Sequence, residues 1–205
     1  MQGATQDRFG KWLTVASIKT QTQNRKGQTM QEYEFTLKFD LRDSNADPAQ
    51  YLDELYEKGC DDALIGVGKK GYVSLNFIRE ALSAADAIYS AISNVKAVVP
   101  NAILIEATPD LVGLTDIAEI SGFTRQHVRK LACSKENLFP TPMHEGNPSL
   151  WHLADVLVWL QQNKDYPTDE AMLETAQVNL SLNILNRVEK LSDKQQEKFR
   201  ELVAA

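Results

Sequence analysis

Cysteine is scarce in this chain: Cys60 and Cys133 stand in separate segments, and neither belongs to a CxxC pair. That excludes a disulfide framework and a thiolate zinc site. No apolar run approaches the roughly 18 residues that a bilayer-spanning helix needs. The N-terminus also lacks a compact apolar stretch followed by a small-residue cleavage site. Neither membrane insertion nor export is expected, and the cytoplasm is the expected compartment. Positive charge is not in excess. The net charge of −6 argues against a protein that coats nucleic acid without regard to sequence. The three histidines, His127, His144 and His152, lack metal-ligand spacing. No Ser/His/Asp, Cys/His or carboxylate pair falls at a spacing that places it in one pocket. The expectation is therefore no enzyme, no cofactor and no metal.

What remains is an ordinary globular composition, 43% apolar and 24% charged, with room in 205 residues for one large domain or two small ones. The charge is unevenly spread. Residues 1–30 carry five basic and one acidic side chain, residues 31–109 seven and thirteen, residues 110–163 four and six, and residues 164–205 six and eight. Residues 1–30 are polar and Gln/Thr-rich around a brief apolar patch, Trp12-Leu13-Thr14-Val15, and read as a flexible N-terminal extension.

From Tyr33 the pattern sharpens. EYEFTLKFDL alternates apolar and polar residues and predicts a half-buried strand through Tyr33, Phe35, Leu37, Phe39 and Leu41. Asp47-Pro48 opens a helix over Ala49–Lys58, facing inward through Leu52, Leu55 and Tyr56 and closed by Gly59. ALIGVG and YVSLNFI are strands around the turn Lys69-Lys70-Gly71. Ser83 caps a long helix, Ala84–Val99, and AILIEA is a fourth strand. The order β-α-β-β-α-β is the split plan of ferredoxin-like domains, giving an acidic α+β domain over residues 31–109. Asp61-Asp62 reads as a solvated loop and Cys60 as a packed thiol. GVGKKG lacks P-loop spacing and sits in a hairpin.

The next segment, LTDIAEISGFTRQHVRKL, predicts two short amphipathic helices hinged at Ser121-Gly122-Phe123. Thr115 would cap the first, with Ile117, Ala118 and Ile120 inside. Gly122 supplies the sharp turn and Phe123 plugs the joint. Thr124 caps the second helix, which Val128 and Leu131 hold inward. That leaves Arg125, Gln126, Arg129 and Lys130 outward and His127 on the flank. Such a helix suits a major groove: Arg reads guanine, Gln reads adenine, and Lys130 and Thr124 suit phosphate. Solvated basic side chains on a helical hairpin are the plain alternative. Downstream, "FPTP" (Phe139–Pro142) reads as a strand, Glu145–Pro148 as a turn and Ser149–Trp151 as the returning strand. A helix with a Leu153, Val156, Leu157 and Leu160 stripe follows. Helix, turn, helix, hairpin, helix is a winged-helix layout over residues 110–163, with His144, Asn147 and Ser149 on the wing as expected contacts to the DNA backbone.

The run from Leu114 to Trp159 resembles the compact winged-helix domains of the MerR, excisionase and phage-regulator group. The matching elements are "LTDIAEISGFTRQHVRKL", "FPTP" and the Trp151 strand leading into "DVLVWL". Residues 33–162 as a whole resemble a bacterial family of helix-turn-helix DNA-binding proteins in which an acidic α/β domain precedes "GLTDIAEISG". The wing departs from the wider group, with His144 and no Arg or Lys. The resemblance implies binding to double-stranded DNA; it names no regulated gene.

Residues 164–205 open on the capping signal Thr168-Asp169-Glu170 and carry an apolar stripe, then a second helix after Ser192-Asp193. They are read as a helical tail that joins a twin chain in preference to folding back. The functional expectation is a dimeric repressor that reads the major groove through residues 124–131. The rival is a protein-interaction module, antitoxin-like or part of a defence or mobile-element complex, whose acidic domain holds a basic protein partner.

Overall fold

The computed structural model describes residues 29–134, 138–164, 166 and 169–203. The N-terminal extension before residue 29 and the expected contribution of Thr168 to a cap lie outside that range. The chain is α+β, with a four-stranded antiparallel sheet and a second sheet of two strands. Among the described residues no helix is long and apolar enough to cross a membrane.

The first sheet comprises β1 (Gln31–Asp40), β2 (Ala63–Gly66), β3 (Tyr72–Ala81) and β4 (Ile103–Thr108), in the order β2-β3-β1-β4 with every pair antiparallel. The period-two pattern of β1 sets its inner face. Tyr33, Phe35, Leu37 and Phe39, with Leu41 beyond, are buried. Phe35 pairs with Phe77 across the ladder, and their rings stack with centroids 5.2 Å apart. Helix α2 (Ala84–Val98), capped by the Ser83 hydroxyl at the Asp86 amide, packs Ala87, Ile88, Ala91 and Val95 onto this face.

The helix expected at 49–58 is irregular. A 3₁₀ turn (Pro48–Tyr51) leads into α1 (Leu52–Leu55), and a wider π-type turn (Tyr56–Cys60) ends at Gly59 with φ 90°. The wide turn brings Leu55 and Cys60, five apart, to the buried side and leaves Tyr56 exposed, against expectation. Asp62 is not a free loop carboxylate. Arg79, the residue that extends β3 past the expected strand end, reaches inward and grips it with Nε and Nη2 at 2.6 and 2.8 Å. The charge is tolerated because the Asp62 carboxylate pairs with it and Ser90 Oγ and the Gly59 carbonyl accept two further guanidinium protons. Burial pushes the Cys60 thiol up to about 11, which accords with an inert packed group.

A second core gathers Val112, Ile117, Val128, Leu131, Trp151, Leu153, Leu157 and Leu160. It is built by β5 (Leu111–Val112), α3 (Leu114–Ser121), α4 (Arg125–Cys133), β6 (Trp151–His152) and α5 (Leu153–Lys164). Strand β6 pairs with β5, upstream of the two helices. The expected hairpin partner Phe139–Pro142 forms no ladder. Pro140 and Pro142 have no amide proton to donate, so the segment is held by side chains. Trp151 Nε1 donates to the Pro140 carbonyl at 2.9 Å, and the Phe139 ring meets Trp151 and Trp159 edge-on. One bridge, His144 to Leu150, closes the loop.

Helix α6 (Glu170–Val188) joins the two cores, and α7 (Asp193–Val203) follows it. Asp169 caps α6 at the Ala171 amide. The helix folds back on its own chain: Val178 and Leu182 pack on the sheet core, while Met172, Ala176 and Leu180 pack on the second. Its polar side chains satisfy the free edge of β4. Asn183 bonds both the amide and the carbonyl of Ala107, and Asn186 donates to the Leu104 carbonyl. Asn183 also donates to Asp110, whose other oxygen lies 2.7 Å from His152 Nδ1. Glu174 accepts from the Tyr33 hydroxyl and the Ala84 amide, and together with burial this raises the Tyr33 pKa. Helix α6 thus folds back on its own chain, the alternative that the sequence reading ranked second.

Candidate nucleic-acid interface

Helix α3 begins one residue earlier than its expected cap. Gly113 is the N-cap, and Asp116 reaches back to accept the Gly113 amide at 2.8 Å, so Thr115 lies inside the helix, exposed. Ser121 Oγ donates to the Ile117 carbonyl, and Gly122 turns the chain at φ 69°. Phe123 fills the joint, its ring 4.9 Å from His127 and 6.1 Å from Tyr166. Tyr166 in turn donates to the Ile120 carbonyl at 2.7 Å.

Thr124 opens α4 by accepting the His127 amide at 3.2 Å. Val128 and Leu131 are buried and fix the roll of the helix. At 100° per residue Arg125, Arg129, Gln126 and Lys130 then share one outer arc. All four are exposed, and among the described residues none makes an ion pair. His127 is exposed on the flank, its ring against Phe123. The first turn of α4 carries Arg125 and no acid, so the positive end of the helix dipole and a cation point the same way. An anion near that end would relieve both. The nine-residue helix is about 13 Å long.

The wing residues stand differently. His144 and Asn147 are exposed, with Asn147 joined to Pro148 by a cis peptide. Ser149 is half-buried, and its hydroxyl donates to the Gly146 carbonyl at 3.1 Å. That proton is spent on the turn, which leaves Ser149 poorly equipped to hold a phosphate. No hydrogen bond links the α4 side chains to His144, Asn147 or Ser149 among the described residues. Leu138 and Met143 are the large exposed hydrophobic side chains of the segment.

One residue of the outer arc escaped the sequence reading. Cys133 is exposed and lies eight residues from Arg125, between the Arg129 and Gln126 directions. Extending the helical wheel by one turn would have found it. Among the described residues no group of three His, Cys, Asp or Glu side chains gathers to hold a metal.

No family model, curated protein or solved structure matches the chain.

Proposed function

We propose that the chain is a sequence-specific DNA-binding transcriptional regulator, a homodimer that represses by occupying its site. One observation carries this reading: Arg125, Gln126, Arg129 and Lys130 stand exposed on a single arc of a short helix whose roll is locked by Val128 and Leu131. Arg125, Gln126 and Arg129 would read base edges, and Lys130 and Thr124 would hold phosphates. The finer fold reading supports it. Residues 110–163 are taken as a winged helix-turn-helix with a reduced wing, and the order β2-β3-β1-β4 as a ferredoxin-like plan. The dimer would form through the groove of about 450 Å³ between α6 and α7, lined by Val188, Leu191, Phe199 and Val203. Two copies then read half-sites about 10 base pairs, or a multiple, apart, in a cytoplasmic and bacterial setting.

Selection of bound fragments from a random duplex pool tests the reading. A recurrent palindromic site is expected, and its duplex should shield Cys133 from alkylation. Unselected sequence in the bound pool, with Cys133 alkylated at the same rate, would sink it.

A second reading is favoured by a different observation. The outer face of the four-stranded sheet shows Glu32, Glu34 and Glu80 to solvent, and such a face suits a basic protein partner. Recovery of one stoichiometric basic protein, without a DNA site, would support that interaction module.

A further inference from the structure

The four-stranded sheet packs α2 and α6 against its buried side, and its opposite, open face differs from end to end. Glu32, Glu34 and Glu80 occupy one end. About 20 Å along β3, the register sets Gly66, Ser74 and Lys38 in one row across three strands. On β4 the row ends at Glu106, and the irregularity there leaves Ile105 without a partner on β1. Small residues within the row and large ones beside it make a hollow of about 220 Å³. Gly66 and Ser74 lie beneath it, and Lys38, Lys69, Tyr72 and Ile105 border it. Phe39 and Val73 also line it, with Gly68. A Cβ at Gly66 would meet the Ser74 carbonyl oxygen at 3.5 Å, an ordinary contact, and one at Gly68 would meet nothing within 4 Å. The two glycines thus leave space that side chains could fill.

Two ammonium groups reach the hollow. Lys38 is bound to the Glu106 carboxylate at 2.7 Å. Lys69 makes no ion pair among the described residues, and its Nζ lies 4.8 Å from the centre of the Tyr72 ring. Asp40, opposite Tyr72 in the ladder, accepts the Arg42 amide at 2.7 Å. One cation of the hollow is therefore uncompensated. The Ser74 hydroxyl also has no hydrogen-bond partner among the described residues. We propose that this hollow binds a small carboxylate with an apolar body. Lys69 holds the carboxylate, Ser74 donates its hydroxyl proton to it, and the body lies against Ile105 and Tyr72. Charge sets the first choice, because one free ammonium matches one negative charge and a dianion would meet Glu106 as well. Size sets the second. Sites for drug-sized ligands run to roughly 300–1,000 Å³, so this one takes a smaller molecule, and largely carbon walls with a few polar groups suit an apolar body. The proposal goes beyond the regulator reading and stands or falls independently of it, because no DNA enters its test.

The test follows the amide signals of the full chain labelled with nitrogen-15. Benzoate is the probe, benzamide its uncharged counterpart, and inorganic phosphate the charge without the carbon. Benzoate should move the signals of Gly66, Gly68, Lys69 and Ser74 along a saturating curve, and the other two should leave them in place at equal concentration. Lys69→Met keeps the stem, loses the charge and should weaken the benzoate response about tenfold. Gly66→Leu fills the hollow and should abolish the response while the spectrum stays dispersed. Should that variant fail to fold, Lys69→Met alone decides. No saturating shift at any soluble concentration, an equal response to benzamide or phosphate, or shifts centred on α4 would each overturn the proposal. So would a benzoate response that either substitution leaves unchanged.

Discussion

The outer arc of α4 and the open face of the sheet carry opposite charge on one small chain. The first offers Arg125, Arg129 and Lys130 with no acidic partner among the described residues, and the second offers Glu32, Glu34 and Glu80. On charge alone a duplex, with one negative charge for about every 1.7 Å of axis, would favour the first over the second. Net charge is therefore a poor guide to partners here. The −6 of the whole chain is the sum of surfaces that would choose different ligands. The two surfaces are also joined, because α6 packs on both cores and closes the edge of β4 with Asn183 and Asn186.

The strongest way to break that comparison is to unfold one side alone. Phe77→Ala removes a stacked core ring and should cost about 3–5 kcal/mol. Calorimetry should still show one transition, with the α4 body melting alongside the sheet. Two transitions, only one of them moved, would show that α6 does not couple the cores. Asn183→Ala should cost less, about 1–3 kcal/mol, by leaving the Ala107 backbone groups and Asp110 short of a partner. A denaturation midpoint unchanged by that substitution would remove the joint from the account.

Thr124→Ala sharpens the comparison from the other side. It weakens the helix that carries the cations without removing any, and chemical denaturation should register about 1 kcal/mol. The smallest effect is confined to the sheet body. Cys60 titrates near 9 when free and is pushed up to about 11 by burial, so the unfolded chain loses its thiol proton first. Stability is complete below pH 9 and declines as pH rises toward 11. The raised Tyr33 phenol adds a decline of the same sign. Cys60→Ala should flatten part of that slope, and in the native protein Cys133 should alkylate while Cys60 does not.

Much of this was legible in the residues, because local rules governed it. Alternation placed Tyr33, Phe35, Leu37 and Phe39, while Ser83, Thr124 and Asp169 announced their helices. Gly122 marked the left-handed turn between α3 and α4. Where the reading failed, a distant partner decided. Phe139–Pro142 looked extended, yet nothing local says that β6 pairs with Leu111-Val112 in its place. Asp62 looked solvated until Arg79 reached it from the next strand. The asparagines of α6 look like surface residues, and only the exposed edge of β4 gives them work. At the site, the roll of α4 followed from Val128 and Leu131. The engagement of Ser149 with Gly146 needed the turn itself.

The central claim is that the arc of α4 reads a duplex, and the double substitution Arg125→Ala with Gln126→Ala tests it most directly. Affinity for the selected site and for a scrambled duplex should be measured side by side at fixed salt. The account predicts that the preference collapses, by roughly 1–3 kcal/mol for each base edge no longer read, while binding to scrambled DNA changes little. A preference that survives intact would contradict it.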